Sequence, residues 1–224
     1  MGELILCSHP IAAMPYYIDN ISLNVYSLEE LCYYIENHLY LIEADFMSEE
    51  LCLWIGQELD EKDLAQSLRS VLLGNGSLSD FTELILRSCG YCSEDTIRHI
   101  RSVLLDMQNK SVFECSKIRA DRYMESEKYV KAIHEYRKLL GMEEECKKNP
   151  VLEGNIRHNL GTACAELFLF DEAAANFLNA YRLNQNRESL AACMAACRLA
   201  KKTDILKKYK EEFHVSDEAF KSMS

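Results

Sequence analysis

The sequence predicts an all-α fold, in which an acidic N-terminal helical bundle is followed by antiparallel helix pairs. Three observations predict it. The 224 residues include only 3 Pro and 8 Gly, too few punctuators for a many-stranded sheet protein. From Ser27 onward, apolar residues recur at helical spacing behind residues that cap helices. Two stretches of the second half also match when one is slid by 41 residues. Ala120 then falls on Gly161, Tyr123 on Cys164, Tyr129 on Phe170, Ala132 on Ala173, Tyr136 on Phe177 and Leu139 on Ala180.

The first 26 residues do not follow this pattern. Leu4-Ile5-Leu6-Cys7 is a short apolar run, and Ile18, Ile21, Leu23 and Val25 alternate loosely with polar residues. They read as one or two extended segments or as an irregular arm laid across the first helices. Ser27 with Glu30 then forms a capping-box signature, and Leu28, Leu31, Cys32, Ile35, Leu39 and Ile42 make one stripe. Ser48 opens a helix with Leu51, Trp54, Ile55 and Leu59 inward. Leu64, Leu68, Val71 and Leu72 make a third, stopped by Gly74-Asn75-Gly76. A fourth runs from Asp80 to Cys89, with Phe81, Leu84, Ile85 and Cys89 inward and Gly90 as its terminator. Ser93 caps a fifth, with Ile97, Ile100, Leu104 and Met107 on one face. Single stripes require the helices to pack on one another.

Charge changes along the chain. Residues 1–112 hold 6 Lys/Arg and 18 Asp/Glu, a net of −12, whereas residues 113–224 hold 19 and 18, a net of +1. The boundary falls at Asn109-Lys110-Ser111, giving an acidic domain over 1–110 and a repeat domain over 111–224, unless one continuous helix joins them. An acidic half disfavours nucleic acid and anionic membrane as partners. No apolar run is long enough to span a membrane, and no basic leader precedes the first apolar run. Leu6 stands where a myristoylation signal needs Ser or Thr. The ten cysteines sit mostly in apolar stripes, as small hydrophobes do, which points to a reducing, cytoplasmic compartment.

The second repeat copy reads Leu160-Gly161-x-x-Cys164, then Ala173-x-x-x-Phe177, then Ala180. This resembles the tetratricopeptide repeat, TPR. Small residues there let two antiparallel helices approach, and larger ones fill the space to the next pair. The resemblance covers about residues 113–213, with clear repeats over 113–146 and 154–187 and a degenerate capping pair over 188–213. It implies a short right-handed solenoid. Helix pairs are expected at 114–126 with 129–140 and at 156–168 with 172–183. Arg119, Arg157 and Gln185 depart from the family pattern. The 41-residue offset exceeds the family period of about 34, and Glu143 to Pro150 is expected to absorb the surplus as a charged, exposed loop. In the cap, Ser189 to Ala200 carries Leu190, Met194, Cys197 and Leu199, and Asp204 starts a Lys-rich helix to Phe213. Ser216 to Phe220 adds a last turn.

Catalytic motifs are sparse. Cys89-Gly90-Tyr91-Cys92 has the spacing of a metal or redox pair, but no second Cys-x-x-Cys and no paired histidines accompany it. No phosphate-binding loop or nucleophile elbow occurs. The reading is therefore non-enzymatic, with no cofactor and no metal. The TPR resemblance implies a groove for a protein or peptide partner, lined by the first helix of each pair. Its positions are Lys117, Asp121, Met124 and Glu125, then Asn155, His158, Asn159, Thr162 and Glu166. Family members that clamp a chaperone C-terminal carboxylate share Lys117 and Asn159. Asp121, Ser189 and Cys193 replace the other clamp residues, so an anion would bind poorly. The expected function is an adaptor. A self-associating scaffold, or a thiol redox or metal role at Cys89 and Cys92, are the alternatives.

Overall fold

The computed structural model describes residues 9–216, three quarters of the chain being helical. Among the described residues there are twelve α-helices and one small hairpin. They divide into two compact units, Met1–Lys110 and Ser111–Ser224. The apolar run Leu4–Cys7 and residues 217–220 of the expected last turn lie outside the described residues. Ser216 itself is not helical.

In the first unit, β1 (Tyr16–Ile18) and β2 (Leu23–Val25) pair antiparallel, with Tyr16 opposite Val25. A 3-10 turn at Asp19–Ile21 connects them, and Ser22 has a left-handed backbone. The segment is also an arm tied to the helices beneath it. Ala12 N–H donates to the Tyr26 carbonyl, the Trp54 indole donates to the Met14 carbonyl at 2.8 Å, and the Asn20 amide donates to Tyr34 and to the Leu41 carbonyl.

Helix α1 (Leu28–Asn37) starts at Ser27, whose hydroxyl accepts the Glu30 N–H. The Glu30 carboxylate reaches one residue further back than a capping box requires, to the Tyr26 N–H. The helix does not carry the expected stripe to Ile42. Leu39, Leu41 and Ile42 are all buried, and three such residues so close together cannot share one helical face. The chain therefore leaves the helix at His38 and makes a 3-10 turn at Leu39–Leu41.

Ser48 caps α2 (Glu49–Gln57), and α3 (Lys62–Leu73) packs against it. Helix α4 (Leu78–Cys89) begins two residues before Asp80, because Ser77 is the cap and Asp80 closes a reciprocal capping box. Ser93 caps α5 (Glu94–Gln108). Leu28, Leu31, Ile35, Leu51, Ile55, Leu68, Phe81, Ile85 and Leu86 form the core. Leu59 is buried just beyond α2. Val71, Leu72, Leu84, Cys89 and Met107, expected inward, are only half-buried.

The second unit opens with α6 (Val112–Glu125), a helix separate from α5 and capped by Ser111 with Glu114. Helix α7 (Tyr129–Gly141) folds back on it. The expected loop after α7 is instead α8 (Glu143–Lys148), acidic in its first turn and basic in its last, which suits the helix dipole. Its one inward residue, Cys146, is buried with Sγ 3.4 Å from the Leu139 carbonyl. Helix α9 (Pro150–Glu166) starts six residues earlier than expected, with Asn149 as cap and Pro150 in the first turn. It pairs with α10 (Phe170–Asn184), and α11 (Arg187–Leu199) pairs with α12 (Thr203–Glu212). Leu199 is exposed. Neighbouring pairs meet where α7 packs on α9 and α10 on α11.

All three pairs turn in the same way. Glu127, Phe168 and Lys201 have left-handed backbones, and in each the next N–H reaches back five residues. Lys128 donates to Tyr123, Leu169 to Cys164 and Lys202 to Cys197. This is the Schellman closure. Gly161 supplies the close approach within the middle pair, since a Cβ there would lie 2.8 Å from the Phe177 ring.

Candidate functional site

The first helices of two successive pairs leave an open depression of about 360 Å³ in the second unit. It is lined by Asp121, Met124 and Glu125 from α6, Tyr136 from α7, and His158, Asn159 and Thr162 from α9. Six of these are residues singled out from the sequence. They come together because Asp121, Met124 and Glu125 lie at i, i+3 and i+4, as do His158 and Thr162 at i and i+4.

A hydrogen-bond network sets the floor. The Tyr136 hydroxyl donates to Asp121 Oδ1 at 2.7 Å. The Asn159 amide lies 3.4 Å from the same oxygen and 3.3 Å from the Tyr136 hydroxyl. Lys117 Nζ pairs with the other Asp121 oxygen at 2.5 Å. Burial, and then the Asp121 carboxylate, push the Tyr136 hydroxyl well above its ordinary pKa, so it remains a donor. On the α9 side, the His158 ring lies 2.9 Å from the Ser189 hydroxyl and 5.2 Å from the Phe177 ring. Burial lowers its pKa, although Glu188 pulls the other way.

Three of the nine residues named from the sequence do not line the depression. Lys117 is engaged by Asp121 at its side. Asn155 is exposed and accepts the Asn184 amide from α10 at 3.0 Å. Glu166 is exposed at the last residue of α9. Tyr136 was missed as a lining residue. Its repeat position marked it for packing, and it is fully buried, with its hydroxyl donating to Asp121. Ser189, on α11, meets the His158 ring.

A second constellation lies in the first unit. His9 on the arm meets Glu29 in the first turn of α1, its backbone N–H 3.1 Å and its Nδ1 2.9 Å from Glu29 Oε1. Ligand atoms of His9, Glu29 and Cys89 all lie within 4.8 Å of one another. Cys32, one turn on from Glu29, presents its thiol to the Cys89 sulfur, with Sγ 3.8 Å from the Ile85 carbonyl. The hydrogen bond between the two sulfurs lowers the Cys89 pKa and raises that of Cys32. Cys92 is pushed up to about 11 by burial, helped by Glu36 and Cys89. Glu29 is 6% exposed, and its carboxylate holds the His9 pKa above the ordinary value. Cys32, Cys89 and Cys92 are thiols rather than bridged cysteines.

Comparison with family models, with curated proteins and with solved structures gives no match. Among the described residues, no helix is long and apolar enough to cross a membrane.

Proposed function

We propose that the second unit is a TPR-type, non-enzymatic adaptor that holds a segment of a partner protein against α6 and α9. The observation that carries this is the single depression in which Asp121, Met124, Glu125, His158, Asn159 and Thr162 meet. Its chemistry narrows the partner. Two carboxylates, three neutral hydrogen-bonding groups and an adaptable methionine suit a lysine or arginine side chain with an apolar neighbour. They do not suit a carboxylate. Asp121 is tied to Lys117, Tyr136 and Asn159, and Glu125, paired with Arg122 at 2.6 Å, is the more exposed anchor. A cytoplasmic protein or peptide partner fits a depression whose charged lining is two carboxylates better than nucleic acid or an anionic membrane does.

The test is fluorescence anisotropy with a library of short peptides that vary in one basic residue. Arg- or Lys-bearing peptides are expected to bind, and Glu125→Lys should weaken them by more than about tenfold, the scale of a lost charged hydrogen bond. Glu166→Lys, outside the depression, should leave binding unchanged. Equal binding of neutral and basic peptides, or indifference to Glu125→Lys, would exclude the reading. Self-association is the second reading, supported by Val130, Phe168 and Leu169, which expose large apolar side chains on this unit. Light scattering that shows a dimer dispersed by Phe168→Ser would favour it.

A further inference from the structure

We propose that His9, Glu29, Cys32 and Cys89 form a closed site for a thiophilic divalent ion of the zinc class. The argument begins with placement. Glu29 and Cys32 are three residues apart on α1, so their side chains share one face. Helix α4 packs on α1 and ends at Cys89, where Gly90 takes the left-handed conformation that turns the chain. The arm brings His9 onto the same spot. Four ligand-type residues from three separate segments therefore converge, and three of their ligand atoms already lie within 4.8 Å of one another.

The donor set fits the ion. One imidazole, one carboxylate and two sulfurs are the ligands zinc takes in four-coordinate sites, and thiolates select it over magnesium or calcium. Zinc bonds of about 2.0–2.3 Å place tetrahedral ligands roughly 3.3–3.8 Å apart. His9, Glu29 and Cys89 need only a contraction of roughly 1 Å to reach that spacing, and Cys32 joins them by turning its thiol away from the Ile85 carbonyl, 3.8 Å from its Sγ. With four protein ligands no coordination position stays open, so the site is structural. It would fasten the arm to α1 and α4.

The test uses the full chain held under a phosphine reductant. About one zinc per chain is expected to survive gel filtration. Cobalt(II) in its place should give thiolate-to-metal charge-transfer absorption and the intense visible bands of a tetrahedral site. Cys89→Ser and Cys32→Ser should abolish the thiolate bands or halve them. Glu29→Gln and His9→Gln should weaken zinc binding by more than about tenfold, at least the loss seen when an outer-shell partner is removed. His9→Gln changes only the arm, and circular dichroism checks that each variant remains helical. Cys115→Ser, in the other unit, should change nothing. The proposal is overturned if the reduced wild-type chain shows neither stoichiometric zinc nor cobalt charge transfer. It is equally overturned if the spectrum survives in a His9→Gln/Cys89→Ser double variant, or if Cys92→Ser abolishes it while Cys32→Ser does not.

Discussion

Gly161 shows how one missing methyl group sets the geometry of a helix pair. It lies inside α9, where alanine would be the better helix former by about 1 kcal/mol. A Cβ there would stand 2.8 Å from two atoms of the Phe177 ring, and Phe177 is itself buried. Overpacking a filled core costs about 1–3 kcal/mol, so the steric term wins. Gly161→Ala is expected to lower stability by roughly 1–2 kcal/mol in urea denaturation, and Phe177→Leu in the same chain should recover part of it. A stabilised single variant would mean that the ring moves freely. This residue was legible in the sequence because a repeat keeps a small residue at every close crossing. Asn155 and Glu166 lie outside the depression, since a helical repeat register gives a face without saying where a depression ends along it. The partners of Cys89 were hidden for another reason. His9, Glu29 and Cys32 are linked to it only by tertiary packing, and Glu29-x-x-Cys32 is a ligand pair of mixed type that no single spacing rule singles out.

At the scale of elements, every helix was legible except α8, and the errors lay at the ends. Capping residues placed the starts of α1, α2 and α5 correctly because the cap acts locally through one hydrogen bond. Helix α9 ran six residues past its expected start because Asn149 and Pro150 cap it well, whereas the repeat register pointed only to its packed portion. Helix α8 was read as a loop from its charges, although the same charges, acidic first and basic last, stabilise a short helix once Cys146 is buried. The turns between paired helices were placed by the repeat, yet no glycine marks them. Glu127, Phe168 and Lys201 take left-handed backbones that cost a non-glycine residue about 1–2 kcal/mol. Glycine removes that strain but enlarges the freedom of the unfolded chain. Glu127 is exposed, so Glu127→Gly is expected to raise the denaturation midpoint, with a net gain of up to about 1 kcal/mol. Phe168→Gly should gain less, because it also removes the edge contact of Phe168 with Phe170 at 6.0 Å. A fall in the midpoint for Glu127→Gly would show that its side chain has a role the turn geometry does not reveal.

Across the whole chain, the charge division noted in the sequence coincides with two units that must answer differently to salt and to pH. The first, Met1–Lys110, carries a net −12 and the second, Ser111–Ser224, a net +1. Like charges held in a compact state repel one another, so the first unit pays for its acidity in stability at low ionic strength. Raising salt from about 0.01 M to 0.1 M shortens the screening length from roughly 30 to 10 Å, which relieves this repulsion and leaves the nearly neutral unit little changed. A gain of about 1 kcal/mol would raise the melting temperature of a unit of this size by roughly 4–8 °C. The second unit should respond to pH through His158. Burial lowers its folded pKa below the ordinary value of 6.5, so the unfolded chain takes up a proton first. Stability is then complete above pH 6.5 and falls as the pH drops through that value towards the folded pKa. Glu188 faces the ring and reduces the effect, while Ser189 and Phe177 keep the ring in its buried place. Calorimetry of the full chain is expected to show two transitions. The one lowered by Gly161→Ala should be insensitive to salt and should weaken as the pH falls below 6.5, and His158→Gln should flatten that dependence. The other should rise with salt. A single transition, or a salt response shared equally by both, would show that the two units are energetically one body despite their separate cores.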